Sequence, residues 1–225
     1  MESVLDLWRS SLPELLVGVK LTIFVTIVGS GLALSIGAVA GTVLAFKTPI
    51  LRTVARGYVE VVRGTPLLVQ IFFLFFGLPV LTGRPMSAVT AGFIALGIHH
   101  GAYFSEIIRG AIQTVPLAQR ESSRSLGMSW GLSLREVIAP QALLHALPVL
   151  GNQLVICLKD TSLLAVIGVA EITREGQIII ANTFRAFETW ILVAAIYLVM
   201  TSFLSLFIRR VEKRLGKFLP ESTMQ

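Results

Sequence analysis

Polar side chains that could bind a small zwitterionic ligand occur close together at the end of a long apolar run. Gln153 and Asp160 are seven residues apart, and Asn152, Thr161 and Ser162 flank them. On a helix, seven residues are close to two turns and span about 10 Å along one face. The carboxylate of Asp160 could bind an ammonium group, while amides, hydroxyls or helix-end N–H groups could bind a carboxylate. These five residues therefore form a candidate binding face for a ligand that carries both groups.

Charged and titratable residues inside an apolar run also have structural interpretations. An Asp or Lys in the middle of a membrane-spanning helix costs roughly 2.5 to 3.5 kcal/mol, so such residues usually face a pathway or a partner. Lys159 and Asp160 could instead cap the outer end of their run. His99 and His100 are neighbours, about 100° apart on a helix. This arrangement favours packing or hydrogen bonds between helices over a metal site, which would need ligands three or four residues apart.

Five apolar runs must position these residues, and they predict an all-α polytopic membrane protein. Of the 225 residues, 54% are hydrophobic and only 14% are charged, which exceeds the apolar share of an ordinary soluble domain. A helix that crosses the hydrocarbon needs about 20 mostly uncharged residues. Acidic residues precede the first run, which is too long for a signal peptide, so we expect it to be retained. The runs are Leu21 to Phe46, Pro66 to Gly83, Pro85 to Ser105, Gln141 to Leu158 and Thr189 to Ile208. The second run is expected to extend backward through a kink at Pro66.

The distribution of Lys and Arg predicts the orientation of these five helices. Basic residues are concentrated after the first, third and fifth runs, in groups that begin at Lys47, Arg109 and Arg209. The opposite side has only Arg9, Arg84, Arg174 and Arg185. Since cytoplasmic loops carry the basic excess, the N-terminus is predicted outside and the C-terminus in the cytoplasm. Contact with anionic lipid and this orientation explain the net charge of +6, so no nucleic-acid partner is expected.

The sequence contains no motif for catalysis or nucleotide binding by this chain. A GxxxxGK[ST] loop is absent. Gly216 and Lys217 are adjacent, but Val211 stands where the motif needs its first Gly, and Phe218 stands where it needs Ser or Thr. HExxH and dinucleotide fingerprints are absent as well. The single Cys157 excludes an intrachain disulfide and a cysteine metal cluster. We therefore expect a non-catalytic chain without a cofactor or metal, driven by a partner or by an ion gradient.

Small residues recur at every fourth position of the first run, at Gly29, Ala33, Gly37 and Gly41. Such a face lets another helix approach closely. We expect it to pack against a helix of the same subunit, with a dimer seam as the alternative.

The longest polar insertion on the predicted cytoplasmic side has the pattern of a helical hairpin. Pro116 can open a first helix, and Gly127 can end it in a left-handed turn. A second short helix is expected from Ser129 to Ile138, where it would run into Pro140.

The hairpin residues ESSRSLGMSWGLSLREVIAP (Glu121 to Pro140) resemble the EAAxxxG(x9)IxLP loop of ATP-binding-cassette (ABC) importer permeases. Glu121, Gly127 and Pro140 match its spacing, whereas Ser122 and Ser123 replace the two alanines and Ala139 replaces a leucine. The resemblance implies a short coupling helix that docks in a groove of an ATPase subunit. It assigns this role to Glu121, Ser122, Ser123, Gly127 and Pro140.

Three further segments resemble the polar amino-acid subfamily of these permeases. They are GYVEVVRGTPLLVQIFFLFFGLP, AYFSEIIRGAIQTVP and LKDTSLLAVIGVAEITREGQ. The resemblance implies a type I importer permease of the bacterial inner membrane, with residues 1–225 forming one domain and the coupling loop near 116–140. It also implies transport of a polar amino acid by alternating access. Expected partners are a second permease subunit, either another copy of this chain or a sister subunit, an ATPase dimer that binds ATP and Mg, an external solute-binding protein and the lipid bilayer. Family members often carry Glu at position 153.

Two other functions are compatible with the apolar runs. A gradient-driven secondary transporter would use Asp160 and the histidines as a proton relay and would work without an ATPase. A membrane sensor or scaffold would move no solute and would not need Asp160.

Overall fold

The structure is a computed structural model that describes residues 4–46 and 49–216. Within these residues all regular elements are helical and there is no strand, which confirms the all-α prediction. The α-helices are α1 (Val4–Ala45), α2 (Pro49–Arg63), α3 (Leu67–Phe72), α4 (Leu78–Thr82), α5 (Ala88–Thr114), α6 (Leu117–Ser125), α7 (Trp130–Ser133), α8 (Ala139–Asp160), α9 (Ile172–Thr183) and α10 (Ala186–Gly216). A first π turn (Phe73–Gly77) joins α3 to α4, a second (Leu134–Ile138) joins α7 to α8, and a 3-10 helix (Thr161–Ile167) follows α8.

Three helical stretches among the described residues are long and apolar enough to cross a membrane. They are α1, the continuous stretch Trp130–Ile167 that contains α8, and α10. A fourth crossing is possible if α2 and the stretch Leu67–Thr82 form one span, which is bent by 103° at its break. The bend confirms the kink predicted at Pro66. Helix α5 is 27 residues long but is not among these stretches, so length and composition recover at most four of the five predicted crossings.

Helix α1 begins well before the apolar run predicted at Leu21. Its 42 residues correspond to about 63 Å, twice the roughly 30 Å of the hydrocarbon core. Contacts with the end of the chain support the early turns: Leu7 and Leu15 are buried in a cluster with Leu192 and Val193. The indole of Trp8 also donates a hydrogen bond of 3.2 Å to the backbone carbonyl of Glu188. Tertiary packing therefore extends the helix past its apolar segment.

The small-residue face of α1 packs closely against α5, as predicted. A Cβ atom at Gly37 would overlap the Cβ of Phe104, and one at Gly41 would lie 2.6 Å from the carbonyl oxygen of Ser105. The contacts follow the same order along both helices, so α1 and α5 run parallel. Because α5 covers this face within the subunit, the alternative of a dimer seam there is excluded.

Helix α8 runs antiparallel to α5, while α10 runs parallel to it. Ile112, near the end of α5, shares a buried cluster with Ile138, just before the start of α8. Ile208 of α10 contacts Gly151 of α8, and the start of α10 lies beside Trp8. Helices α1, α5 and α10 therefore begin on one side of the molecule, and α8 begins on the other.

Each π turn ends two residues before a proline, at Pro79 and Pro140. A proline in a helix lacks an N–H group, and its ring clashes with the carbonyl four residues earlier. In both places the residue before the proline donates its N–H group five residues back, Leu78 to Phe73 and Ala139 to Leu134. The wider turn makes room for the ring. The second helix of the hairpin consequently continues through Pro140 into α8 instead of ending there.

Candidate functional site

A buried imidazole connects the two principal residues of the predicted binding face. His100 Nδ1 lies 3.0 Å from the amide nitrogen of Gln153, and His100 Nε2 lies 3.3 Å from Asp160 Oδ2. The His100 side chain is 1% exposed, while that of Asp160 is 30% exposed. We call His100, Gln153 and Asp160 the polar cluster. It joins α5 to the C-terminal half of α8 and presents one partly accessible carboxylate.

The other three residues of the predicted face occupy different surroundings. Asn152 is exposed. Thr161 is fully buried, and its hydroxyl donates a hydrogen bond of 2.7 Å to the carbonyl of Leu158. Ser162 is half-buried in the first turn of the 3-10 helix. The structure thus brings together Gln153 and Asp160, but it leaves Asn152 and Thr161 apart from them.

The polar cluster retains hydrogen-bonding capacity toward a ligand. No hydrogen bond from a described residue reaches Asp160 Oδ1, so this oxygen can accept from an ammonium group. Asp160 is also the last residue of α8, where the chain changes from an α-helix to a 3-10 helix. The described residues contain no group of three His, Cys, Asp or Glu side chains with metal-binding geometry.

A second imidazole contact, which the sequence did not indicate, holds the bend between α2 and α3. His99 Nδ1 lies 3.1 Å from Gln70 Oε1. The amide nitrogen of Gln70 donates to the carbonyl of Val62 and to the hydroxyl of Thr65, at 2.8 and 2.9 Å. The sequence feature that could have indicated this contact is Gln70, a lone Gln inside the second apolar run. Both histidines therefore form hydrogen bonds between elements, the type of role expected from their adjacent positions.

Glu171 is a second buried carboxylate that sequence reasoning missed. It is 0% exposed and accepts hydrogen bonds from the backbone N–H groups of Thr173 and Arg174 at 2.9 and 2.8 Å. The hydroxyl of Tyr197 donates a third bond of 2.7 Å. Glu171 thus caps the N-terminus of α9 and fixes it to α10, because its oxygens satisfy N–H groups that have no partner within the helix.

The hairpin formed by α6, α7 and the second π turn has the predicted architecture. Gly127 has a φ of 82° and ends α6 in a left-handed turn, in which Met128 donates its N–H group to the carbonyl of Ser123 at 3.2 Å. The hydroxyl groups of Ser123 and Ser133 lie 2.6 Å apart inside the hairpin. The side chain of Ser123 is thus buried between the two helices, whereas Glu121, Ser122 and Pro140 are exposed.

Side chains anchor this hairpin to the ends of α1 and α5. Arg120 donates a hydrogen bond to the carbonyl of Ile112. The guanidinium of Arg124 lies 5.5 Å from the ring centroid of Trp130, which packs edge-on against Phe46 at 5.2 Å. A cavity of about 1140 Å³ separates the hairpin from the end of α1 and is bordered by Glu121. The hairpin is therefore linked to the end of α1 through Trp130, to α5 through Arg120, and to α8 through the second π turn.

Comparisons with known proteins match most of the chain to membrane components of transport systems. Residues 33–217 match the family model described as the binding-protein-dependent transport system inner membrane component. Over 206 residues the chain is 44% identical to the glutamine transport system permease protein GlnP of Escherichia coli (strain K12), covering 91% of this chain and 94% of that protein. It is 34% identical over 196 residues to the L-cystine transport system permease protein TcyL of Bacillus subtilis (strain 168), covering 83% and 82%.

Solved structures share the fold. A chain of an amino acid ABC transporter crystallised with histidines superposes with a TM-score of 0.86 at 37% identity, covering 95% of this chain and 99% of that one. A chain of the inward-facing MetNI methionine ABC transporter superposes with a TM-score of 0.79 at 17% identity, covering 90% and 96%. At 17% identity, the similarity to the MetNI chain shows a shared fold and nothing more.

Proposed function

Because this chain belongs to the binding-protein-dependent transport system inner membrane components and is a permease subunit of an amino-acid ABC importer, we propose that it carries a polar, uncharged amino acid. The observation that carries this proposal is the polar cluster, which combines one carboxylate with an imidazole and an amide. A zwitterion needs one anionic partner for its ammonium group, and Asp160 supplies it. A cationic side chain would need a second anion, and position 153 is Gln. Glutamine is the first substrate to test, since a 44% identical relative is a glutamine permease.

The proposed topology has five crossings, with the N-terminus outside and the C-terminus in the cytoplasm. The crossings are α1, the broken stretch from α2 to α4, α5, α8 and α10. The parallel course of α1 and α5 supports this arrangement, because it places the ends of both helices and the α6–α7 hairpin on one side. That side also carries the basic residues that follow the first and third apolar runs, as expected for the cytoplasmic face.

The proposed mechanism is alternating access coupled to a separate ATPase dimer. The single domain of this chain would pair with a second permease subunit, and an external solute-binding protein would deliver the amino acid. ATP and Mg would bind the ATPase subunits, which dock on Glu121 and Ser122 at the exposed surface of the hairpin. Gly127 ends the coupling helix, and the second π turn before Pro140 connects the hairpin to α8. Nucleotide shifts the equilibrium only if one conformation of the assembly binds it more tightly.

Changing Asp160 to Asn tests the site. Removing the charge should weaken binding of the substrate ammonium by about 1.5 to 3 kcal/mol, and so raise the half-saturating glutamine concentration roughly tenfold to a hundredfold. The measurement is uptake of labelled glutamine by proteoliposomes that contain the permease, its ATPase and its binding protein. Competition with unlabelled arginine in the same assay tests the preference for an uncharged side chain.

Two controls make this result interpretable. Asp160→Glu keeps the charge and should recover part of the uptake. Basal ATP hydrolysis and a single gel-filtration peak should show that each variant assembles. Unchanged affinity and rate in Asp160→Asn would remove Asp160 from the site, and strong inhibition by arginine would contradict the proposed substrate class.

A further inference from the structure

His100 can adopt either protonation state without losing its hydrogen bond to Gln153. The amide nitrogen of Gln153 lies 3.0 Å from Nδ1, so in the neutral ring Nδ1 accepts and Nε2 carries the proton. Nε2 lies 3.3 Å from Asp160 Oδ2 but forms no hydrogen bond with a described residue. If the amide of Gln153 turns over, its oxygen accepts from a protonated Nδ1, and the imidazolium donates at both nitrogens. A Glu at position 153 offers only acceptors and would hold the ring in its charged form.

We propose that His100 is a positioning residue that holds Gln153 and Asp160 ready for the substrate, and that its protonation weakens substrate binding. This inference rests on the function proposed above for Asp160. At 1% exposure His100 does not reach the substrate itself and acts through its two partners. A neutral ring leaves the carboxylate of Asp160 its charge and its capacity to accept hydrogen bonds from the substrate. An imidazolium forms an ion pair with Asp160 and competes with the substrate ammonium for it.

The titratable groups that face His100 are few. His99, on the same helix, packs edge-on with ring centroids 5.3 Å apart. From α8, Asp160 and Cys157 face the ring, and the thiol of Cys157 contacts the uncharged hydroxyl of Ser30 on α1 at 3.4 Å. Asp160 is therefore the one carboxylate among the described groups that face the imidazole, and it is also the proposed ligand of the substrate.

The sign of the pH effect follows from this competition. At alkaline pH the ring is neutral, Asp160 is free to bind the ammonium group, and uptake is maximal. As the pH falls and His100 binds a proton, the half-saturating substrate concentration rises. The rise approaches about tenfold per pH unit once the ring is mostly protonated, because one proton is displaced for each substrate bound.

The experiment compares His100→Asn with His145→Asn in the reconstituted importer. His145 is an exposed residue of α8, away from the polar cluster. Glutamine uptake is measured from pH 6 to pH 8, with equal pH on both sides of the membrane and the same binding protein and ATPase throughout. The ratio of each variant to wild type removes the pH dependence of the partner proteins. His145→Asn should give a constant ratio, whereas the ratio for His100→Asn should rise toward acid pH.

A second variant keeps the inference testable if His100→Asn assembles poorly. Gln153→Glu should hold His100 protonated to higher pH, so the fall in uptake should begin at higher pH than in wild type. Constant ratios for both His100→Asn and Gln153→Glu would overturn the role of His100. If Asp160→Asn also transports normally, the proposed site itself is wrong. If Asp160→Asn fails while those ratios stay constant, the inference about His100 alone is wrong.

Discussion

Replacing Gly37 with leucine should prevent the folded permease from accumulating in the membrane, whereas the same change at Gly31 should not. At Gly37 a Cβ atom would overlap the Cβ of Phe104 and lie 3.1 Å from the backbone carbonyl carbon of that residue. Neither group is the flexible end of a side chain, so α1 and α5 would have to separate. Overpacking of this kind costs about 3 kcal/mol or more when backbones must move.

Gly31 provides a matched control on the same helix. No described atom lies within 4 Å of a Cβ placed there. Membrane extracts of the two variants, each fused to a fluorescent reporter, can be compared by size-exclusion chromatography and by the midpoint of thermal unfolding. Equal amounts and equal midpoints for both variants would contradict the close α1–α5 packing.

Reversing the charge of Glu121 should release or uncouple the ATPase. Glu121 is exposed on α6 and borders the cavity between the hairpin and α1. Losing one partner of a charged contact at an interface typically costs about 2 kcal/mol or more, which corresponds to roughly a 30-fold loss of affinity. We therefore expect the Glu121→Lys permease to retain little ATPase on purification, and glutamine-stimulated ATP hydrolysis to fall in proportion.

Glu60→Lys is the matched control, since Glu60 is an exposed carboxylate of α2 outside the hairpin. It introduces the same change of charge and should co-purify with the ATPase as wild type does. Normal ATPase recovery with Glu121→Lys would show that the hairpin couples through other residues. Loss with both variants would indicate a general effect of charge instead of a specific contact.

The local features of the fold were predictable from the sequence because each depends on neighbouring residues. Gly127 occupies the left-handed turn expected of a glycine at a helix end, and the chain bends at Pro66 because proline restricts the residue before it. The spacing of Gly29, Gly37 and Gly41 identified the face of α1 that α5 covers. Family membership, in turn, gives no support to the gradient-driven transporter or the membrane scaffold, since the relatives are ABC permease subunits.

The details of the candidate site were not predictable because they depend on how distant segments align. The contact of His100 with Gln153 and Asp160 requires a particular register of α5 against α8, which is set by a buried cluster that includes Phe104 and Leu150. Spacing alone could not show that the chain becomes a 3-10 helix after Asp160 and buries Thr161. Nor could it show that Ser123 faces Ser133, because that contact forms only when the hairpin closes.

The second π turn also sets the angular phase between the hairpin and α8. A π turn holds one residue more than an α turn, and one residue corresponds to about 100° of rotation around a helix axis. The extra residue within Leu134–Ile138 therefore rotates every side chain of α8 by about a quarter of a circle relative to α7. In an uninterrupted α-helix of the same sequence, with the hairpin in the same orientation, Asp160 would be turned by this angle from its present position beside His100.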